Sequence, residues 1–209
     1  MDSLVIGIVA TEQEIDNKSY EAVGRNNLKY LDGKCSYIGL IMYDNKSHFD
    51  TNILDMCDGV IFQGGTYVYP YHFEILNYCI NNNIPVLGIC MGMQIMGLYA
   101  NNQSEDNLIK IDNHYGKEHF INNKKDRVLY KLYGGKMIVN SRHNYMLEYI
   151  DKPFKIGAVS DDNVIESIEW IDDEHFVLGV QFHPEDMKNM DKLYNYFIKD
   201  CLKRKNIRT

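Results

Sequence analysis

The segment PVLGICMGMQ at residues 85–94 constrains the fold of this chain more than any other feature of the sequence. A branched apolar run leads to Cys90 and a helix-forming run follows directly, which predicts a buried strand, a sharp turn and a helix. Gly88 and Gly92 leave room for a tight corner where a side chain would clash. The positive end of the new helix would favour the thiolate form of Cys90, so the segment predicts a nucleophile at the end of a sheet.

Strand-like and helix-like segments alternate through the first hundred residues. Apolar runs rich in branched residues predict buried strands at 4–10, 37–43, 58–62 and 85–89. Apolar residues at helical spacing predict helices at 73–81 and 91–99. This alternation predicts an α/β fold with a central, mostly parallel sheet flanked by helices.

The second half of the chain is less regular. Residues 101–149 are polar and weakly periodic, which favours short strands and loops. Three further strand-like runs, separated by acidic turns, are predicted at 154–159, 164–170 and 176–182. A last amphipathic helix is predicted at about 187–203. The sequence has no repeat and no linker, so we expect a single domain over residues 1–209.

Composition excludes several classes of partner. The 209 residues carry a net charge of −7, which disfavours nucleic acid as the main partner. The N-terminus has no basic region before its short apolar run, so we expect no signal peptide and no membrane span. The five cysteines are odd in number and lack CxxC spacing, which disfavours zinc and disulfide frameworks and favours reduced thiols in the cytoplasm. We expect no metal site at His114 and His119 and no cofactor.

His183-Pro184-Glu185 follows the last strand-like run and supplies partners for a nucleophile. Pro184 biases the residue before it to an extended backbone, where residues i and i+2 point the same way. His183 could then take the proton of Cys90 while Glu185 holds the imidazole in one tautomer. The three residues predict a Cys-His-Glu triad.

Paired glycines, Gly64 and Gly65, follow the strand at 58–62. Without side chains they can turn peptide N–H groups toward a ligand. Together with the N–H of Met91 they predict an oxyanion hole for a tetrahedral intermediate, although the pair could also be an ordinary turn.

The residues 88–94 (GICMGMQ) and His183-Pro184-Glu185 resemble the nucleophile and His-Pro-Glu motifs of class I glutamine amidotransferases, which have a flavodoxin-like fold. Within that superfamily the chain is most similar to the free-standing γ-glutamyl hydrolases of the peptidase C26 group, which includes γ-glutamyl-γ-aminobutyrate hydrolase. Three further segments carry that finer resemblance: Gly64-Gly65 with Pro70, 139–143 (VNSRH) and 164–169 (VIESIE).

The resemblance implies a role for each matching residue. Cys90 would form a γ-glutamyl thioester, His183 would be the general base and acid, and Glu185 would orient it. The N–H groups of Gly65 and Met91 would bind the oxyanion. The resemblance places the substrate beside Gly64, Gln94, Asn140, Ser141 and His143.

The implied function is hydrolysis of a γ-glutamyl amide in a small molecule, releasing glutamate and an amine. Tyr67, Met91 and Asn144 stand where the family usually has other residues, which leaves the amine open. A glutaminase subunit that delivers ammonia to a separate synthetase is the alternative, and a homodimer is left open. A non-catalytic protein on the same scaffold is disfavoured because all three triad residues are present.

Overall fold

The apolar runs of the sequence form the inner strands of a large sheet. The computed structural model describes residues 4–42 and 48–208. The strands of this described chain are β1 (Val5–Val9), β2 (Thr11–Ile15), β3 (Lys18–Ala22), β4 (Ser36–Leu40), β5 (Gly59–Phe62), β6 (Val86–Ile89), β7 (Leu108–Lys110), β8 (Tyr115–Asn123), β9 (Lys136–Arg142), β10 (Tyr145–Leu147), β11 (Lys155–Ser160), β12 (Ile165–Ile171) and β13 (Phe176–Val180). The helices are α1 (Pro70–Asn81), α2 (Met91–Ala100), α3 (Val128–Tyr133) and α4 (Asp191–Arg208). Short 3₁₀ helices lie at Arg25–Leu28, Thr51–Met56, Glu105–Asn107 and Pro184–Asp186.

Nine of the described strands form one sheet in the order β4-β1-β5-β6-β13-β12-β11-β8-β9. The neighbours from β4 to β13 pair in parallel, and those from β13 to β9 pair antiparallel. Within this sheet β12 and β8 therefore run against the other seven strands. The fold is the predicted single α/β domain with a mostly parallel central sheet.

Two apolar cores, one on each face of the sheet, hold the helices. Side chains of α1 and α2, such as Ile75 and Met93, pack in one core. Side chains of α3 and α4, such as Leu129 and Phe197, pack in the other. Burial on both faces explains why the inner strands read as continuous apolar runs rather than as alternating patterns.

Parallel pairing places the functional segments together. Phe62 at the end of β5 is in register with Gly88, and Val180 at the end of β13 is in register with Ile89. The carboxyl ends of β5, β6 and β13 therefore meet at one edge of the sheet. Ligands bind at this edge in open α/β sheets.

Several predicted elements differ from the observed ones. The polar segment 101–149 contains the expected strands and loops, of which β8 and β9 join the main sheet, and also the helix α3, which was not predicted. The hairpin β2–β3 was not predicted, because its strands are polar and largely exposed. The second predicted strand ends at Leu40, and Tyr43 lies outside the described residues. The last helix begins at Asp191 rather than near residue 187.

The structure has free thiols at Cys35, Cys57, Cys79, Cys90 and Cys201. Within the described chain, every helix is too short or too polar to span a lipid bilayer.

Candidate active site

Cys90 occupies the corner between β6 and α2 in a strained backbone conformation. Its φ of 52° and ψ of −105° lie outside the backbone regions that residues with a side chain normally adopt. A Cβ on Gly92 would lie 2.4 Å from the carbonyl oxygen of Phe62, and one on Gly88 would lie 2.7 Å from the backbone of Gly92. The two glycines therefore allow α2 to leave the sheet at close range, as predicted. The corner holds a largely buried thiol at the sheet edge.

His183 lies between Cys90 and Glu185. Its Nδ1 donates to Oε1 of Glu185 at 2.7 Å, which leaves Nε2 available to the thiol of Cys90. Burial opposes the charged imidazole, but the hydrogen bonds to Cys90 and Glu185 outweigh it and raise the pKa of His183 to about 10. A charged His183 beside the sulfur would be the acid for a leaving amine.

Gly64 packs directly against the imidazole. A Cβ at this position would lie 2.7 Å from Cε1 of His183 and 3.6 Å from Cβ of Cys90. Any side chain here would displace the base. The loop after β5 therefore borders both the base and the nucleophile.

The backbone N–H groups of Gly65 and Met91 find no acceptor within residues 4–42 and 48–208. Met91 is the first residue of α2, where N–H groups have no partner inside the helix. Gly65 lies against the side chain of Met91, whose Cε would be 2.8 Å from an added Cβ. Two N–H groups next to Cys90 are thus available to a ligand.

Gln181 contacts the sulfur of Cys90, and Gln94 contacts Gln181. Nε2 of Gln181 lies 3.5 Å from Sγ of Cys90, and Oε1 of Gln181 accepts from Nε2 of Gln94 at 3.3 Å. Nε2 of Gln94 also lies 3.1 Å from the carbonyl of Tyr145. No sequence motif marks Gln181, although its position two residues before His183 could have indicated this contact.

Asn140 contacts the backbone of His183. Its Nδ2 donates to the carbonyl of His183 at 2.9 Å, and its Oδ1 accepts from the N–H of His183 at 2.8 Å. Ser141 donates its hydroxyl to the carbonyl of His114, and His143 lies in a buried cluster with His114. The structure places these three side chains in contacts with His183 and with the neighbouring histidines, and their place beside the substrate stays a prediction.

A cleft of about 460 Å³ opens beside the base. Its walls include Gly64, His183 and Glu185 from the sheet edge, and Gly24 and Asn26 from the segment after β3. Arg142 and Asp186, an ion pair across the cleft, also line it. A small polar molecule can reach the catalytic edge through this opening.

Gln63 holds the cleft wall through four hydrogen bonds. Its Nε2 donates to the carbonyls of Val9 at 3.0 Å and Ala22 at 2.7 Å. Its Oε1 accepts from the N–H of Gly24 at 2.9 Å and from Nδ2 of Asn27 at 2.8 Å. The side chain is buried, so it joins β1, β3 and the following turn beneath the cleft.

A family model described as peptidase C26 matches residues 71–185, more than half of the chain. Protein NtpR of Enterococcus hirae is 25% identical over 182 residues, which cover 70% of this chain and 76% of that protein. CTP synthase of Borreliella afzelii is 28% identical over 239 residues, which cover 94% of this chain and 44% of that enzyme. The solved glutaminase domain of Trypanosoma brucei CTPS with bound acivicin has the same fold, with a TM-score of 0.72, 17% identity, and coverage of 96% of this chain and 94% of that one.

Proposed function

The chain belongs to the peptidase C26 family, and we propose that it is a cysteine hydrolase that cleaves the γ-glutamyl amide bond of a small molecule. The observation that carries this proposal is the hydrogen bond from His183 to Glu185 at 2.7 Å, with the imidazole and Cys90 side by side next to Gly64. A nucleophile, a base and an orienting carboxylate in that order are the requirements for covalent acyl transfer. The glutamine amidotransferase-type hydrolase fold provides the general setting, and the γ-glutamyl substrate is our inference from the motifs.

In the proposed reaction Cys90 attacks the amide carbonyl, and a carbon–sulfur bond forms. His183 gives a proton to the leaving nitrogen as the carbon–nitrogen bond breaks, so an amine departs and a thioester remains. Water then attacks the thioester, His183 takes its proton, and glutamate leaves as the sulfur is released. The N–H groups of Gly65 and Met91 would stabilise the oxyanion in both halves of the reaction, and Gly64 and Gln94 would border the glutamyl group.

A glutaminase subunit is the second candidate, favoured by the similarity to CTP synthase over most of this chain. In that case the substrate would be free glutamine, and the ammonia would pass to a separate synthetase. The two functions share the chemistry at Cys90 and differ only in the amine that leaves.

The test is to incubate the purified chain with glutamine and a panel of γ-glutamyl amines and peptides, and to follow glutamate release. The proposal expects robust turnover of at least one γ-glutamyl amide by the chain alone and poor turnover of glutamine. Preferential hydrolysis of glutamine would instead support the glutaminase subunit. Lack of glutamate release from every compound would contradict both.

The Cys90→Ala chain tests the nucleophile in the same assay. Activity should fall to the background rate, because no thioester can form. Mass spectrometry of the acid-quenched wild-type chain should find a γ-glutamyl group on the peptide that contains Cys90. Cys35→Ala is the matched control, since Cys35 is half-buried and donates only to the carbonyl of Leu31, and it should retain activity.

A further inference from the structure

Two ring nitrogens and one carboxylate oxygen, all buried and outside the triad, face one another at short range. Nδ1 of His114 lies 3.3 Å from Nε2 of His143, and Oε1 of Glu166 lies 3.6 Å and 3.7 Å from those two nitrogens. The side chains are 2%, 2% and 0% exposed. They come from β12 and from the segments that precede β8 and follow β9, and the proposed hydrolysis uses none of them directly.

The outer nitrogens of both histidines are already committed. Nε2 of His114 lies 3.0 Å from a carboxylate oxygen of Asp162, and Nδ1 of His143 lies 3.0 Å from the carbonyl of Tyr145. Since both partners only accept, these two nitrogens carry the protons. In the neutral rings the other two nitrogens, Nδ1 of His114 and Nε2 of His143, therefore carry lone pairs. These lone pairs face each other and the carboxylate of Glu166.

Glu166 has no hydrogen bond to either oxygen within the described residues. Nε2 of His119 is 3.0 Å from Oε1, but neither nitrogen of that ring makes a hydrogen bond in the described structure. A fully buried carboxylate without a donor is strongly unfavourable unless a cation lies next to it. Three acceptors around one point would be stabilised by such a cation, either a metal ion or a protonated histidine.

We propose that His114, His143 and Glu166 bind a divalent transition metal ion of the Zn²⁺ type. Ligands at 2.0–2.1 Å from a tetrahedral ion lie about 3.3–3.5 Å apart, close to the observed spacings. Two imidazoles and one carboxylate form a known zinc ligand set. The hydrogen bonds from the outer nitrogens to Asp162 and Tyr145 are those that orient metal-binding histidines. His119, beside Glu166, borders the fourth position.

Such an ion would stabilise the region behind the nucleophile. The carbonyl of Tyr145 contacts both His143 and Gln94, and Gln94 contacts Gln181, which reaches Cys90. The N–H of Gln181 also donates to the carbonyl of Glu166 at 2.9 Å. The role we assign is structural: the ion would join β12 to the segment between β9 and β10.

The experiment measures metal binding by the full chain after treatment with a chelator. The Cys90→Ala chain is used because the catalytic thiol could itself bind these ions, and because the result then does not depend on the proposed hydrolysis. Calorimetric titration with Zn²⁺ should give one site per chain with a Kd below about 1 μM. Co²⁺ should give visible absorption typical of tetrahedral nitrogen and oxygen ligands, and Zn²⁺ should raise the Tm.

Glu166→Gln in the same background should weaken binding at least about tenfold and reduce the rise in Tm. Asp162→Asn is the second variant, because Asp162 is largely exposed and its loss should weaken binding without unfolding the chain. His175→Gln is the matched control: His175 also pairs with a carboxylate, that of Asp172 at 3.0 Å, outside the cluster, and it should bind Zn²⁺ as the parent does.

The main competing occupant is a proton on one of the histidines. In that case the parent chain would bind neither Zn²⁺ nor Co²⁺ stoichiometrically, and the proposal would be overturned. Equal binding by the parent and by both Glu166→Gln and Asp162→Asn would overturn it as well, since the metal would then lie elsewhere. Circular dichroism of each variant establishes that the comparison is between folded chains.

Discussion

At the scale of single residues, the amide of Asn140 holds the backbone of His183 at both of its polar groups. Asn140→Ala removes both hydrogen bonds and lets the base move relative to Cys90. A small misplacement of a reacting group costs about 10–100-fold in rate, so we expect kcat to fall by that factor with a smaller change in KM. Steady-state kinetics on the best γ-glutamyl substrate measures the two parameters separately.

Asn122→Ala is the control for this prediction. Asn122 also donates its side-chain amide, but to the carboxylate of Asp161 rather than to the backbone of His183. It should leave kcat unchanged. A similar loss of kcat in both variants, or a loss confined to KM in Asn140→Ala, would contradict a positioning role.

The pH dependence of the reaction reports on Glu185. The hydrogen bonds to Cys90 and Glu185 raise the pKa of His183 to about 10, so the alkaline limb of a bell-shaped kcat/KM profile should lie near that pH. Glu185→Gln removes the negative charge, so the imidazole loses its proton at a lower pH. The alkaline limb should therefore move to lower pH, and the rate should fall by about 10³–10⁴-fold.

Asp186→Asn tests whether this shift is specific to the orienting carboxylate. Asp186 is the next residue, and its carboxylate pairs with Arg142 and Asn26 rather than with the imidazole. We expect a much smaller movement of the alkaline limb. Equal shifts in the two variants would mean that the general field of the cleft, and not the contact at Nδ1, sets the pKa of His183.

The sequence predicts those site residues whose chemistry is local. Cys90 lies at a strand-to-helix corner, and His183 and Glu185 are two positions apart, so spacing alone indicates that they act together. The predicted extended backbone was wrong, since Pro184–Asp186 form a 3₁₀ turn that nevertheless brings the two side chains together. Asn140 is 43 positions from His183, and no local pattern marks that contact. Its role depends on the pairing of distant strands, which is visible only in the structure.

At the scale of elements, the closest packing in the site lies between α2 and β5. An added Cβ at Gly92 would be 2.4 Å from the backbone carbonyl of Phe62, which cannot move without shifting the strand. Gly92→Ala should therefore destabilise the protein by about 1–3 kcal/mol and displace Cys90. Urea denaturation measures the first effect, and kcat measures the second.

Gly39→Ala is the matched control in β4 at the edge of the sheet. The nearest atom to its added Cβ would be a side-chain carbon of Val23 at 3.5 Å, an ordinary contact. Stability and kcat should stay close to those of the parent. If Gly92→Ala behaved in the same way, the corner would be less tightly packed than the structure indicates.

The inner strands could be predicted because burial on both faces selects unbroken apolar runs, as in β1, β5 and β6. The bounds of β8 and β9 within the predicted region of strands and loops could not, because most of β8 is exposed and its sequence, YGKEHFINN, has no apolar run. They are strands because they pair with each other and with β11. Tertiary pairing, rather than local propensity, decides their structure.

At the scale of the whole molecule, the topology creates contacts that no local segment contains. The antiparallel half of the sheet brings His114, His143 and Glu166 to one point although they are separated by up to 52 positions in the chain. The sequence shows only isolated histidines without metal-ligand spacing, which is why we expected no metal there. A ligand set assembled across four strands cannot be recognised from spacing alone.

Gln63 is the residue on which the wall of the cleft depends, since it joins β1, β3 and the turn Arg25–Leu28 through buried hydrogen bonds. Gln63→Ala leaves several buried groups without partners, each at about 1–3 kcal/mol, so we expect a total loss of about 2–4 kcal/mol after relaxation. The wall should loosen, and KM should rise more than kcat falls, because the triad itself does not contact Gln63.

Gln63→Glu has nearly the same shape but cannot donate to the carbonyls of Val9 and Ala22, so it should be destabilised as well. Gln103→Ala, at a turn after α2, is the control and should match the parent in Tm and KM. An unchanged KM in a destabilised Gln63→Ala chain would show that the segment after β3 does not form the substrate-binding wall.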